Sequence, residues 1–157
     1  AQLAPNEEVL DIGSGGGVPG IVVAILRPDI QMTLCESVSK KARVCESILA
    51  ELNLKVPVYA LHVRSVLDDF RYDTLTVRAV GSLAKMCRWL EEYWPSFGRL
   101  LAIKGPKWVE ERGEARHLGL LKGIELRKAD SYGMPDTQSE SVILQLRRLR
   151  PGETSVE

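Results

Sequence analysis

An acidic residue followed by three spaced glycines is the part of this sequence best suited to hold a ligand. Asp11 ends an apolar run, and Gly13, Gly15 and Gly17 follow it before a segment with helical periodicity. Glycine has no Cβ, so the backbone can turn sharply here and a ligand can approach it closely. Open α/β sheets bind ligands at the edge where the strands end. The spacing therefore predicts a ligand site between the first strand and the first helix.

A second acidic residue, Glu36, ends the next apolar run, nineteen residues after Gly17. An acid at this place in an α/β sheet accepts hydrogen bonds from the hydroxyls of a ribose. Taken alone, Glu36 is equally well explained as a solvated glutamate at a strand end. Behind the glycine segment, the ribose contact is the favoured interpretation.

The segment from Gly15 to Gly20 also satisfies the dinucleotide-binding pattern G-x-G-x-x-G. That pattern begins as the strand ends, whereas here further residues separate the strand from Gly15. A carboxylate at Asp11 would also repel a pyrophosphate. The sequence therefore favours a ligand other than a dinucleotide.

Short apolar segments alternate with helical ones along the chain, which is typical of an α/β fold. Seven segments are expected to be strands: residues 8–12, 31–36, 56–60, 73–80, 98–103, 124–131 and 141–149. Four segments are expected to be helices: residues 19–26, a segment around 45–52, a segment from 83 that ends near 94–95, and 107–122. Only a loop around residues 133–136 joins the last two strands, so we expect an antiparallel hairpin. We predict one domain over residues 1–150 and a frayed tail over 151–157.

The composition of the 157 residues is that of an ordinary globular protein, with 45% hydrophobic and 27% charged residues. Twenty-one basic and 21 acidic residues give a net charge of zero, which by itself indicates neither a nucleic acid nor a membrane as a partner. The three cysteines form no C-x-x-C pair, so we expect neither a disulfide nor a metal site, and we expect a cytoplasmic location.

Several segments together resemble the RsmG family, also called GidB. They are residues 11–20 (DIGSGGGVPG), the Lys40-Lys41 pair, Arg78-Ala79-Val80 and Lys104-Gly105. The resemblance implies a class I S-adenosylmethionine-dependent methyltransferase with a Rossmann-like fold. Its sheet would be mostly parallel and seven-stranded, and would end in the antiparallel hairpin. It also implies that the chain lacks the N-terminal helical segment of the family.

The resemblance implies transfer of a methyl group to N7 of a guanosine in small-subunit (16S) ribosomal RNA. The implied cofactor is S-adenosyl-L-methionine, and the implied partner is the small-subunit ribosomal RNA or the 30S subunit. No membrane partner is expected, and the chain is expected to be a monomer. A methyltransferase acting on a small molecule or a protein remains an alternative, as does a non-catalytic RNA-binding assembly domain.

The same resemblance assigns cofactor-binding residues by position. Those expected around the methionine and ribose portions are Asp11, Gly13, Gly15, Gly17, Val18 and Glu36. Ser65 and Val66 are expected to meet the adenine through backbone N–H groups, although Val66 replaces the glutamate that is usual there. Arg78 is expected beside both the cofactor and the target base.

Arg78 and Lys104 are the candidate catalytic residues, as groups that position the substrate. Guanine N7 carries a free lone pair, so methyl transfer needs alignment more than a general base. The alternative for both cations is structural pairing with Asp11 or Glu36. A cysteine nucleophile is not expected, because Cys87 lies within an apolar helical stripe.

Overall fold

Strands and helices alternate along the chain. The strands form a single sheet, and the helices pack on both of its faces. The computed structural model describes residues 2–133 and 139–154. The strands are β1 (Glu8–Ile12), β2 (Gln31–Cys35), β3 (Val58–Tyr59), β4 (Tyr72–Arg78), β5 (Phe97–Lys104), β6 (Ile124–Gly133) and β7 (Glu140–Arg148). The helices are α1 (Gly20–Leu26), α2 (Ser39–Glu51), α3 (Val63–Asp69), α4 (Leu83–Leu90) and α5 (Trp108–His117), and a 3₁₀ turn spans Trp94–Ser96.

The sheet has the strand order β3-β2-β1-β4-β5-β7-β6. The first five strands pair in parallel, whereas β7 pairs antiparallel with both β5 and β6. The predicted fold class, including the antiparallel C-terminal hairpin, is confirmed. The order of the parallel strands reverses between β1 and β4, the place where sheets of this kind bind ligands. Most of the loop predicted between the last two strands, residues 134–138, lies outside the described residues.

Two hydrophobic cores lie on opposite faces of the sheet, because successive residues of a strand point to opposite sides. Val9 packs on the side of α1 and α2 with Met32, Leu34 and Leu49. Leu10, the next residue, packs on the side of α3, α4 and α5. Strands that are buried on both faces are the expected core of a parallel sheet. None of the described helices is long and apolar enough to span a membrane.

The largest error of the sequence prediction concerns the region between β3 and β4. The segment 63–69 forms helix α3, which was not predicted, and β3 covers only two residues of the expected five. The helix has just seven residues, of which Val63, Val66 and Leu67 are buried. Periodicity over so short a segment carries little information, so the packing against the sheet decides its structure. Helix α5 is also shorter than predicted and ends at His117, before Gly119.

Helix α1 lies very close to the sheet at its first residue, Gly20. A Cβ added to Gly20 would clash with the Leu34 side chain and lie 2.7 Å from Asp11 Oδ2. A glycine is therefore required here for the fold itself, independently of any ligand.

We expect Gly20→Ala to lower the free energy of unfolding by about 1–3 kcal/mol, the usual cost of an overpacked core. Gly16→Ala is the matched control, because nothing lies within 4 Å of a Cβ at that position. Denaturant unfolding of both variants measures the difference. Equal stability of the two variants would contradict the close packing of α1 on β2.

Candidate functional site

The candidate site is built by the loops that follow β1, β2 and β4, where these neighbouring strands end at one edge of the sheet. The glycine loop, residues 13–19, joins β1 to α1 and is fastened to β2. The N–H groups of Gly13 and Ser14 donate to the carbonyl oxygen of Cys35 at 2.8 and 3.3 Å. The Ser14 hydroxyl donates to the backbone oxygen of Asp11 at 3.0 Å. The loop is therefore held by bonds of its own before any ligand binds.

The glycines of this loop have different roles. Gly13, Gly15 and Gly17 all have positive φ, at 63°, 53° and 86°. A Cβ on Gly13 would lie 2.6 Å from Val80, and one on Gly17 would lie 2.5 Å from Ile21. These two glycines are thus required by contacts within the chain.

The open side of the loop is formed by Gly15 and Gly16. Around Gly15 the nearest atom to an added Cβ is the oxygen of Gly13 at 3.6 Å, and around Gly16 there is nothing within 4 Å. Val18, also expected at the cofactor, is 40% exposed at the end of this loop. The backbone of Gly15 and Gly16 is therefore the part of the loop that a ligand can approach closely.

Glu36 is buried and holds the glycine loop through its carboxylate. One oxygen accepts the N–H of Gly15 at 3.0 Å, and the other accepts the N–H of Val38 at 2.9 Å. The sequence placed Glu36 at the site, and the structure brings it there, although both oxygens already have a backbone partner. A carboxylate oxygen has two lone pairs, so each can still accept a hydroxyl.

Asp11 is completely buried at the end of β1 and joins three elements. Its Oδ2 accepts the N–H of Gly20 in α1 at 3.1 Å, and its Oδ1 accepts the Thr76 hydroxyl of β4 at 2.7 Å. Burial raises the pKa of the Asp11 carboxyl from 3.8 to about 6, although the hydrogen bonds and the charge of Arg78 act in the opposite direction. Asp11 therefore accepts hydrogen bonds that connect β1 with α1 and β4, in addition to any contact with a ligand.

Ser65 and Val66, the residues expected at the adenine, lie in helix α3. Their N–H groups belong to the first turn of α3 and already donate to the carbonyl oxygen of His62, at 3.0 and 3.4 Å. The Val66 side chain is buried in the core below α3. Both N–H groups therefore have a partner within the chain, and the contact with an adenine stays a prediction, for which the Ser65 side chain is exposed.

Arg78 is the last residue of β4 and its side chain is exposed at the ligand-binding edge. Within residues 2–133 and 139–154 its guanidinium makes no hydrogen bond or ion pair, which leaves its five donors available. Arg78 forms no direct pair with Asp11 or Glu36, so this alternative is wrong for Arg78. Its charge acts on Asp11 only through space.

Lys104 differs from Arg78, because it is buried and paired. Its ammonium forms an ion pair with Glu111 at 2.7 Å and donates to the carbonyl oxygen of Gly81. The sequence offered Asp11 and Glu36 as partners of Lys104, and that expectation is wrong. The sequence analysis did not identify Glu111 as the partner of Lys104. An acid in the first turn of a helix such as α5 is common and does not by itself indicate a tertiary contact.

The three cysteines are buried thiols. Burial raises the pKa of Cys35 to about 12 and that of Cys87 to about 11, and it also raises the pKa of Cys45. A thiol is a nucleophile only as the thiolate, so these residues are inert at neutral pH. The part of the chain that the structure describes also contains no group of three or more His, Cys, Asp or Glu residues that could hold a metal ion.

Comparison with known proteins identifies the family. The family model named GidB, "rRNA small subunit methyltransferase G", matches residues 1–139. The ribosomal RNA small subunit methyltransferase G of Rhodopirellula baltica is 58% identical over 138 residues, which are 88% of this chain and 60% of that protein. The protein of the same name from Mycolicibacterium smegmatis is 40% identical over 140 residues, 85% of this chain and 60% of that protein. The chain belongs to this family.

This RsmG-family chain therefore spans 60% of the length of these two relatives. Its fold is also that of solved methyltransferases. A putative RNA methyltransferase from Pyrococcus horikoshii superposes with a TM-score of 0.67 at 15% identity, over 95% of this chain and 76% of that one. TrmK from M. capricolum, in complex with S-adenosyl-homocysteine, gives 0.68 at 9% identity, over 96% and 64%. These likenesses confirm the class I methyltransferase fold of the RsmG-family chain.

The buried Asp11 carboxyl predicts how the stability of the RsmG-family chain depends on pH. A pKa raised on folding favours the protonated acid, so its contribution to stability is complete below pH 3.8 and is lost as the pH rises through about 6. The loss amounts to about 3 kcal/mol at neutral pH. Asp11→Asn keeps an acceptor for Gly20 and removes the titration.

We expect the difference in unfolding free energy between wild type and Asp11→Asn to shift by about 2 kcal/mol against the wild type between pH 4 and pH 8, since part of the loss has already occurred at pH 4. Denaturant titrations of both proteins at each pH measure this difference, in which the contributions of all other groups cancel. A difference that is constant over this range would show that Asp11 has an ordinary pKa in the folded protein.

Proposed function

We propose that this chain transfers the methyl group of S-adenosyl-L-methionine to N7 of a guanosine in small-subunit (16S) ribosomal RNA. Membership of the RsmG family supports both the reaction and the substrate. The observation of the structure that carries the proposal is a set of exposed cations around the ligand-binding edge. A chain of zero net charge gives no other sign of a polyanionic partner.

The glycine loop fits the proposed cofactor. The open backbone at Gly15 and Gly16 admits a close approach, and Glu36 has lone pairs left for ribose hydroxyls. Asp11 lies behind the same loop, where a carboxylate attracts the ammonium of the methionine portion. When bound, S-adenosylmethionine supplies an electrophilic methyl group on its sulfonium. The protein's part is to hold that group, exclude water and align the base.

The cation rim consists of the exposed residues Lys40, Lys41, Arg64, Arg78, Lys85 and Lys107. Arg78 ends β4, and the other five lie at the beginnings of α2, α3, α4 and α5. Each of these helices follows a parallel strand, so all four begin at the same edge of the sheet. The rim therefore surrounds the loops that form the candidate site.

Helix stability does not explain the rim. The first turn of a helix favours acidic side chains, and a cation there costs about 0.3–1 kcal/mol. The first turns of α2, α3 and α4 nevertheless contain no acid, whereas they contain Lys40, Lys41, Arg64 and Lys85. Cations in an unfavourable place, gathered at the ligand edge, are accounted for by phosphates of an RNA substrate.

The proposed reaction requires no base from the protein. The lone pair of guanine N7 attacks the methyl carbon, the carbon–sulfur bond breaks, and the electron pair of that bond stays on sulfur. Arg78, which is exposed beside the glycine loop, has donors available for the guanine or a flanking phosphate. The expectations of a cytoplasmic, monomeric protein remain predictions.

We expect the chain to methylate small ribosomal subunits taken from a strain that lacks this modification, and mapping to place the methyl group on a guanine N7. The single-turnover rate should be nearly constant from pH 7 to pH 9, because N7 is already unprotonated and Asp11 titrates below this range. A rate that rises tenfold per pH unit would reveal an essential base. Methylation of only a small molecule or protein, or RNA binding without turnover, would support the alternative functions.

We expect the Lys40→Ala/Lys41→Ala variant to bind ribosomal RNA more weakly and with a shallower salt dependence. Removing one phosphate contact should reduce the slope of log affinity against log salt by about 0.7–0.9. Lys55→Ala/Lys122→Ala is the matched control, because both lysines are exposed and precede strands at the opposite edge of the sheet. Identical slopes for the two double variants would contradict an RNA contact at the rim.

A further inference from the structure

The buried Lys104 and the part-exposed Glu111 link three elements on the far side of the β4–α4 loop, residues 79–82. The Lys104 ammonium at the end of β5 lies 2.7 Å from Glu111 Oε2 in α5 and donates to the carbonyl oxygen of Gly81. The same Glu111 oxygen accepts the N–H of Leu83 at 2.8 Å, at the start of α4. The pair therefore holds the loop by one backbone acceptor and one backbone donor.

The backbone of the β4–α4 loop has an unfavourable conformation, which contacts with other elements must stabilise. Ala79 has a φ of 55° and Gly81 a φ of 133°, and a residue other than glycine in the left-handed region is costly. The loop follows directly after Arg78. On its near side Val80 meets Gly13, where an added Cβ would lie only 2.6 Å away. A displacement of the loop would therefore move Arg78 and press on the glycine loop together.

Neither stability nor contact with RNA accounts for this pair as well as positioning does. Burying the Lys104 charge costs desolvation free energy, and an apolar residue of similar size often stabilises a fold as much or more. The Lys104 side chain is 9% exposed and its ammonium is occupied, in contrast to the exposed members of the cation rim. Lys104 and Glu111 instead form hydrogen bonds with the backbone of the β4–α4 loop and the start of α4.

We propose that Glu111, through Lys104, is a positioning residue for methyl transfer: the pair sets the β4–α4 loop, and so aligns Arg78 with the cofactor held by the glycine loop. This inference rests on the proposed function. It gives Lys104 an indirect role in place of a contact with RNA. It also makes Glu111, on a helix outside the site, part of the machinery that aligns the reacting groups.

The test compares Glu111→Ala with Glu110→Ala, which removes the same charge from the neighbouring, exposed residue of α5. Glu111→Ala should lower kcat on small ribosomal subunits by about ten- to a hundredfold, the cost of a small misalignment. KM for the subunits and the Kd of S-adenosylmethionine should stay within about threefold, because the binding groups remain. Glu110→Ala should have the kcat of the wild type. Equal kcat in the two variants would overturn the inference.

The double variant Lys104→Met/Glu111→Gln covers the case in which Glu111→Ala fails to fold, because it leaves no buried charge alone and keeps an acceptor for Leu83. Its kcat should also fall by about tenfold or more. Its slope of RNA affinity against salt should equal that of the wild type. A slope reduced by about 0.7–0.9 would show that Lys104 touches a phosphate, and wild-type kcat would show that the pair is dispensable. Either result would overturn the inference.

Hydrogen exchange separates a failure of this inference from a failure of the proposed function. Without any substrate, amide exchange of residues 79–83 should become about tenfold faster in Glu111→Ala, where Leu83 loses its acceptor, and stay unchanged in Glu110→Ala. An inactive wild type would refute the proposed function. Unchanged amide exchange in Glu111→Ala would refute the claim that the pair stabilises the β4–α4 loop, whether or not the wild type is active.

Discussion

The buried carboxylate of Asp11 is the interaction on which the site depends. It lies next to the last residue of β1 and accepts hydrogen bonds from α1 and β4, so one side chain joins the glycine loop to the middle of the sheet. Its burial is unfavourable, since it raises the pKa to about 6. A group kept at a cost to stability, at the edge where ligands bind, is typical of a functional site.

The second acid of the site, Glu36, extends the same principle to the loop itself. Its carboxylate joins the N–H of Gly15 to that of Val38, so the ends of β1 and β2 are tied by a charge-assisted contact and not only by the sheet. The loop is consequently formed in advance, with Gly15 and Gly16 open. A ligand that binds such a loop loses little free energy in ordering it.

Charge is segregated in this neutral chain. Asp11 and Glu36, the two acids of the candidate site, are buried and bonded within the fold, whereas the six cations of the rim are exposed. Lys104 is the exception, and its burial gives it a partner, Glu111, and a backbone target. Two cations that end neighbouring strands thus have different surroundings, and only Arg78 presents its charge to solvent.

The parallel arrangement of the sheet was implied by the resemblance to the family. The sequence by itself determined most of the strands, the C-terminal hairpin and the glycine loop with Asp11 and Glu36. These features follow from local patterns: apolar runs, helical periodicity, and glycines where φ must be positive. Only the tertiary structure decided that Ser65 and Val66 lie in a helix, that Lys104 pairs with Glu111, and that the cations at four helix starts meet at one edge. Such partners come from distant parts of the chain, and burial against them, not spacing, selects which groups meet.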